Sequence, residues 1–439
     1  MSKTDYPLPT KSEPVILTRS EHPISRKHFD EATLKVLYRL HRSGHKGYLV
    51  GGSIRDLLLG RTPKDFDVGT DATPNQVRKL FRNCFLVGRR FRLAHVRFGP
   101  DTLIEVATFR RLADESDLPT DSETPRFTAE NVFGTPREDA FRRDFTINAM
   151  FYNIEDFSII DYVGGLRDLS EKRIRMIGDP LVRFEEDPVR MLRALEFAAR
   201  LEFTIDPETL DAIPTQAHLL ATASPARLRE EMMELFRHKV ASAVLHQAGE
   251  TGILTHLLPN FLHDEACYKL LDQIDARTLA GTPINEGFAI AALYLENFRR
   301  LLADADEFDF AAIMHLANTA LSPHIKHFQV SHGIQHQARE MFLAFRRFQR
   351  GRGRKGERRF LRHPATSQAL ELYELWCQTG AGDLAEAADW REAIEQSGKP
   401  VEKSTEPNSQ GEKRRRPRRR KKRPAKPDAD QSASTTVPE

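Results

Sequence analysis

Between Phe29 and His41 the apolar residues Leu34, Val36, Leu37 and Leu40 recur at helical spacing, and Ser43-Gly44 ends the pattern, which predicts one amphipathic helix. Short apolar runs then take over. Gly47-Tyr48-Leu49-Val50 predicts a strand entering Gly51-Gly52, Ser53 to Leu59 a helix closed by Gly60, and Asp65-Phe66-Asp67-Val68 a second strand. Thr73-Pro74-Asn75 starts a further helix to about Phe81, because threonine caps well and proline is tolerated in a first turn. Phe85-Leu86-Val87, Ala94 to Phe98 and Leu103 to Ala107 follow as strands. From about Asp179 strand patterns nearly vanish, and amphipathic helical patterns continue to about Ile394.

The expected fold class is therefore α+β: an N-terminal head with a small mixed sheet, then an all-helical region. Residues 1–23 are polar and proline-containing without periodicity, which predicts a disordered leader. The head spans 24–178, a helical neck 179–240 and a helical body 241–396. Within the head, Arg111 to Pro136 is rich in Asp, Ser, Thr and Pro and predicts a long mobile loop. Residues 397–439 contain no core-forming pattern and predict a disordered basic tail.

Charge sharpens that division. The 439 residues sum to +3, but Lys413 to Lys426 alone holds eleven cations and no acid, so without that stretch the chain would carry −8. In Lys413 to Arg423 ten of eleven residues are cationic, a composition that attracts RNA phosphates or serves as a solubility tail. A second basic stretch, Arg346 to Lys355 with Arg358 to His363, is interleaved with Phe348 and Phe360, which could stack on bases or sit in a core. No apolar run approaches the roughly 18 residues that span a bilayer, and Met1 to Ser20 has no apolar signal region, so a cytoplasmic location is expected. Cys84, Cys267 and Cys377 are far apart, which argues against a disulfide framework or a zinc site.

Candidate chemistry concentrates in the head. Gly51-Gly52-Ser53 between a strand and a helix lets backbone N–H groups approach an anion such as a triphosphate, with Arg55 adding a charged contact; an ordinary tight turn is the alternative. Asp65 and Asp67, two apart on a strand, project to one face while Phe66 points to the core. Two such carboxylates repel unless a cation lies between them, and hard oxygen donors suit Mg²⁺; the alternative is an exposed strand edge. Glu105, on a neighbouring strand, is the candidate third carboxylate, unless it faces outward between Ile104 and Val106.

Taken in order, Leu49-Val50-Gly51-Gly52 with Arg55-Asp56, Asp65-Phe66-Asp67, Arg142-Arg143-Asp144-Phe145-Thr146-Ile147-Asn148-Ala149 and Glu186-Asp187-Pro188-Val189-Arg190-Met191-Leu192-Arg193-Ala194 resemble the class II tRNA nucleotidyltransferase and bacterial poly(A) polymerase family. The resemblance runs from Tyr48 to Phe236. It implies a nucleotidyltransferase head with catalytic Asp65, Asp67 and Glu105, Mg²⁺ on Asp65 and Asp67, and ATP as substrate, followed by a neck over 179–240 for base and RNA recognition and an RNA-binding helical body over 241–396. Gly51, Gly52, Ser53, Arg55, Arg143, Asp144, Asn148, Asp187, Arg190 and Arg193 would bind the nucleotide. Asp144 would accept from the ribose hydroxyl, and Asp187 and Arg190 would read the base edge, with Asp187 as cap and Pro188 as first residue of their helix. Asp161 to Gly165 resembles the hinge element. Leu86 to His95 and the basic tail resemble the poly(A) branch more than the CCA-adding branch, although Ser53-Ile54 departs from the usual Gly-Val. The implied reaction is template-independent AMP addition to RNA 3′ ends, with messenger, regulatory or structured RNA and the RNA-decay machinery as partners. CCA addition to tRNA, an inactive RNA-binding factor and a small-molecule nucleotidyltransferase are the rivals.

Overall fold

Eight short strands make one sheet. The computed structural model describes residues 6–88, 92–112, 131–303 and 309–397. In chain order the head contains β1 (Val15–Leu17), α1 (Glu31–Arg42), β2 (Gly47–Val50), α2 (Gly52–Leu58), β3 (Asp67–Thr70), α3 (Pro74–Leu80), β4 (Cys84–Val87), β5 (Leu93–Phe98) and β6 (Thr102–Thr108). It continues through β7 (Arg110–Leu112), β8 (Asn131–Phe133), α4 (Pro136–Arg142), β9 (Met150–Asn153), β10 (Ile159–Asp161) and α5 (Gly165–Ser170). The sheet order is β1-β10-β9-β2-β3-β6-β5-β4, with β3 and β6 parallel and the other pairs antiparallel. The sheet is mixed, as expected, but wider than the apolar runs alone imply.

Asp30 caps α1 by accepting from the Thr33 N–H at 2.7 Å, and Val36, Leu37 and Leu40 are its fully buried stripe. Each such side chain contributes about 1.5–3 kcal/mol over its exposed state. That stripe lies close to β2: a Cβ at Gly47 would come within 3.3 Å of the Leu40 Cβ. In the parallel pair, Val68 lies opposite Val106 and both are buried. Alternation then sends Asp67 and Glu105, one residue earlier on each strand, to the other face.

Three expectations need correction. The leader is not wholly irregular: β1 pairs with β10, Leu17 is buried, and Arg137 donates to the Lys11 carbonyl. The loop expected over Arg111 to Pro136 is framed by the antiparallel pair β7 and β8 and ends in α4, whose Thr135–Glu138 capping box satisfies the first turn. Its residues 113–130 lie outside the described residues, as do 398–439 of the expected tail. The second strand begins at Asp67, leaving Asp65 in the irregular approach to it.

Two helices, α6 (Pro180–Glu186) and α7 (Val189–Leu201), open the helical region and are bonded firmly to the head. The buried Arg183 donates to the carbonyls of Arg142 and Arg143, both at 2.7 Å, satisfying the open C-terminal end of α4. Asp161 is fully buried and accepts from the N–H groups of Val163, Gly164 and Leu166, clamping the turn before α5. A Cβ at Gly165 would meet the Thr146 carbonyl at 2.2 Å, so only glycine permits that approach. The hinge-like sequence is thus a tightly bonded turn. One hydrophobic core runs from Leu17 through the neck to Trp390, joining the head to the helices that end at Ser397.

Candidate active site

Gly51 has φ 77° and ψ −144°, a conformation that needs glycine, and it turns β2 into α2. The first-turn N–H groups of α2 lack intrahelical acceptors. Ser53 is buried and donates its hydroxyl to the Val50 carbonyl at 3.2 Å, which braces the turn. Arg55 does not face an anion as expected. It is buried, its Nε donates to Asp56 Oδ1 at 2.8 Å, its Nη1 donates to Asn148 Oδ1 at 2.5 Å, and it lies 5.1 Å over the Phe197 ring. A cation in that position supports the site from beneath. Two cations flank the turn: Arg143 Nη1 would lie 3.3 Å from a Cβ at Gly51, and Arg55 Nη2 3.1 Å from a Cβ at Gly52.

Asp67 and Asp65 are exposed, while Phe66 packs edge-on against Phe29 with ring centroids 5.8 Å apart. Solvent reaches the Asp67 carboxyl, yet protein on its remaining sides removes much of its hydration. That desolvation, with the charges of Glu105 and Asp65, pushes its pKa up to about 6 against the opposing pull of Arg143. Asp67 thus sits in the fields of Glu105, Arg143 and Asp65. Glu105 is engaged by His95, with Oε1 3.3 Å from Nε2. Among the described residues no three His, Cys, Asp or Glu side chains are gathered into a group able to hold a metal ion, so Glu105 is not placed as a third ligand. The oxygen pair Asp65 and Asp67 remains.

Behind the carboxylates, Asn148 is a hub. It accepts from Arg55, its Nδ2 donates to Asp144 Oδ1 at 3.2 Å, and its carbonyl accepts from Arg143 Nη1 at 3.2 Å. Asp139, four residues before Arg143 on α4, accepts from Arg143 Nε and Nη2 at 3.1 and 2.9 Å. Asp144 accepts the Phe145 N–H at 2.7 Å on Oδ1 and Arg193 Nε and Nη2 at 3.0 and 2.8 Å on Oδ2. Burial opposes its ionisation, but Arg193 and these donors hold its pKa below the ordinary carboxylate value. Its acceptor sites are thus used within the protein, which leaves little room for the expected ribose contact. Arg193 also donates Nη1 to Glu231 Oε1 at 3.1 Å, on the helix Pro225–Arg237.

The expected cap at the start of α7 is different. Asp187 ends α6 in an extended conformation, Pro188 takes the cap position of α7, and the Asp187 carboxylate receives both Arg227 Nη groups at 2.9 and 2.7 Å. Arg190 donates Nη1 to the Arg183 carbonyl at 2.7 Å and to Glu186 Oε2 at 2.9 Å. Asp139, Arg183, Arg227 and Glu231 are thus site neighbours outside the motifs, and Glu186, inside one, carried no role there. The spacing of Asp139 and Arg143 is a readable helical pair, as is that of Arg227 and Glu231 on the helix Pro225–Arg237; what neither spacing shows is the reach of Arg227 to Asp187 or of Glu231 to Arg193. Phe348 is fully buried against Tyr373 and Trp390, so it is core and not a base-stacking surface. In the Leu86 to His95 segment, residues 89–91 lie outside the described residues, as does the whole run Lys413 to Arg423.

With this geometry in place, three family descriptions match the chain: "Poly A polymerase head domain" over 47–175, "Probable RNA and SrmB- binding site of polymerase A" over 202–264 and "Polymerase A arginine-rich C-terminus" over 305–424. Poly(A) polymerase I of Salmonella typhi is 40% identical over 407 residues, covering 88% of this chain and 87% of that protein. The CCA-adding enzyme of Bacillus subtilis is also 40% identical, but over 233 residues, 52% of this chain and 56% of that protein. Among solved structures, the Bacillus stearothermophilus CCA-adding enzyme in complex with CTP superposes with a TM-score of 0.61 at 26% identity, covering 85% of this chain and 82% of that one.

Proposed function

The chain belongs to the class II nucleotidyltransferase and poly(A) polymerase family, and on that premise we propose that it is a template-independent poly(A) polymerase that joins AMP from ATP to RNA 3′ ends. The observation that carries the choice within the family is coverage. Similarity to Poly(A) polymerase I extends over 88% of the chain, whereas similarity to the Bacillus subtilis CCA-adding enzyme extends over 52%. No helix among the described residues is long and apolar enough to cross a membrane, and the cytoplasm is the compartment this reading assigns.

The reaction is in-line attack of an RNA 3′-hydroxyl oxygen on the ATP α-phosphorus. A phosphorus–oxygen bond forms there, the bond to the bridging oxygen breaks, and pyrophosphate leaves. Asp65 and Asp67 are the residues that would hold Mg²⁺, and the donor set fits: both are exposed carboxylates, two residues apart, that offer hard oxygen donors. That ion, when bound, supplies charge neutralisation for the triphosphate and the attacking oxygen. Arg143, held by Asp139 and the Asn148 carbonyl beside the Gly51 turn, offers a fixed cation to the triphosphate. Arg55, Asn148, Asp144 and Arg193 then act as the frame that keeps this geometry. Incubating the protein with Mg²⁺, a generic RNA and each nucleoside triphosphate separately tests the reading. AMP incorporation well above that of the other three nucleotides is expected, and CTP use before ATP on a tRNA end moves the assignment to CCA addition.

Base choice is assigned to Asp187, an acceptor, and Arg190, a donor. Both are already engaged, with Arg227 and Glu186 respectively, so their edges are fixed before the base arrives. A wrong base would leave polar groups unmatched, at about 1–3 kcal/mol each, or roughly ten- to hundredfold discrimination. Arg190→Ala is therefore expected to lower ATP use and to narrow the ATP-to-GTP preference together. Single-nucleotide incorporation rates with all four nucleotides check this; unaltered kinetics and selectivity would remove Arg190 from the site.

A further inference from the structure

The sheet face that carries Asp67 and Glu105 does not end at those carboxylates. In the register of β6, β5 and β4, Glu105 lies opposite His95 and His95 opposite Phe85. Asp67, Glu105, His95 and Phe85 therefore form one row across four strands, and at about 4.8 Å per strand Phe85 stands about 14 Å from Asp67. Beside the row, Leu103 lies opposite Arg97, and Val87 opposite Leu93. Alternation puts all of these on one side of the sheet, while Ala94, Val96, Ile104 and Val106 enter the core on the other.

This side is uncovered toward β4, the last strand of the sheet. Phe85 exposes 60% of its surface, Val87 49% and Leu103 42%, a grouping of large apolar side chains that marks a binding surface. Among the described residues no ring or guanidinium packs on Phe85, and Arg97 is exposed and forms no ion pair. The RNA end has to come to Asp65 and Asp67, and its chain must leave across the head. On the β2 side, the Gly51 turn and Arg143 are the groups assigned to the triphosphate. On the β4 side the row offers a free ring for an unpaired base and a free guanidinium for a phosphate. A protein seated there would obstruct the approach to the carboxylates, so the face suits the chain of the substrate itself.

We propose that Phe85 and Arg97 position the RNA end and set which ends are extended fastest. The base on the reacting sugar lies nearer Asp67 than Phe85 does, so the ring meets the base of the nucleotide before it, and Arg97 contacts a phosphate of the same stretch. A purine presents a larger π-face than a pyrimidine, so a purine in the second-last position is preferred. Each AMP added to an adenylate end then regenerates the preferred end. The inference rests on the polymerase reading above for the identity of the substrate.

The test uses the full chain and short RNAs that share a 3′-terminal A and differ only in the second-last nucleotide. Wild type is expected to extend the purine-containing ends a few-fold faster at subsaturating RNA. Phe85→Ala should raise the KM for those RNAs about tenfold, level the four bases and leave the KM for ATP at the wild-type value, whereas Phe85→Trp should keep the preference. Arg97→Gln should flatten the slope of log kcat/KM against log salt by about 0.7 without changing the base preference. An RNA with 5-iodouridine in the second-last position should photo-crosslink to Phe85, as located by mass spectrometry. Equal rates for the four bases in wild type, a purine preference that survives in Phe85→Ala, or a crosslink confined to other residues overturns the proposal. So does a Phe85→Ala protein with unaltered RNA kinetics that sediments as a smaller particle than wild type, which would make the patch a contact between copies of the chain. Failure of the polymerase reading looks different: wild type incorporates no AMP on any RNA, while the crosslink still reports whether an RNA end lies at Phe85.

Discussion

Asp65→Ala or Asp67→Ala is expected to reduce AMP incorporation by about a thousandfold or more, because an ion that neutralises the transferring phosphate is worth several kcal/mol of barrier, at about 1.4 kcal/mol per factor of ten. The fold should survive. Both carboxylates are exposed, and neither is hydrogen-bonded into the frame formed by Asn148, Asp144 and Arg193. Stability should in fact move the other way. The folded Asp67 carboxyl titrates at about 6, above its ordinary value, so its ionised form is penalised in the fold. The penalty is complete above about pH 6 and fades as the pH falls toward the unfolded value, where both states hold the proton. Asp67→Asn should therefore raise Tm at pH 7.5 in EDTA and leave it unchanged near pH 4. Primer-extension rates in Mg²⁺ and melting curves in EDTA read the two effects separately. Near-normal turnover in a well-folded double variant would sink the metal assignment, and a lowered Tm at pH 7.5 would show that Asp67 is a structural group.

How far these properties are legible in the chain depends on the range of the interaction. The strand entering Gly51-Gly52, the alternation that puts Asp67 on the face away from Val68, and the apolar stripe Val36, Leu37 and Leu40 are all set by neighbours within a few residues, and all were read directly. What the sequence hid was long-range. Val15-Ile16-Leu17 is too short to show a period, and it becomes a strand only because β10 supplies an open edge opposite it. Arg55 next to two glycines reads as an anion contact, yet its Asp56 neighbour and the Phe197 ring from α7 draw it inward. Glu105 illustrates a different limit: its strand is inferable while its role stays open between third carboxylate and outward-facing residue, and its engagement by His95 depends on the register of β5 against β6. Asp187 and Arg190 belong to a motif, whereas Arg227, which holds Asp187, lies on another helix 40 residues away, and no local pattern ties the two together.

The same limit makes Arg193 the residue whose role the structure changes most, and its removal should be the most damaging change outside the carboxylate pair. Arg193 touches Asp144 on one side and Glu231 on the other and lies 5.2 Å over the Phe197 ring, which Arg55 also covers. It thus joins the helix Pro225–Arg237 to the hub under the catalytic face. Arg193→Met keeps much of the side-chain volume but leaves two largely buried carboxylates with no cation between them. Breaking a buried pair in this way costs about 3–5 kcal/mol, and the partial exposure of Arg193 places the expected loss near the lower end, about 3 kcal/mol. The pH dependence follows from Asp144. Its depressed pKa means that the pair stabilises the fold above the unfolded carboxyl value, and that this stabilisation is lost as pH falls through the lower folded value. The variant should therefore be most destabilised at neutral pH and approach wild type in acid, where Asp144 and Glu231 take up protons. Adding Asp144→Asn to Arg193→Met should recover part of the loss at pH 7, since an amide needs no cation. Urea unfolding of both variants at pH 7 and pH 5 measures this, with the KM for ATP followed alongside. If Arg193 instead served only as a direct ATP contact, KM would rise while the unfolding midpoint stayed at the wild-type value at both pH values, and the second substitution would rescue nothing.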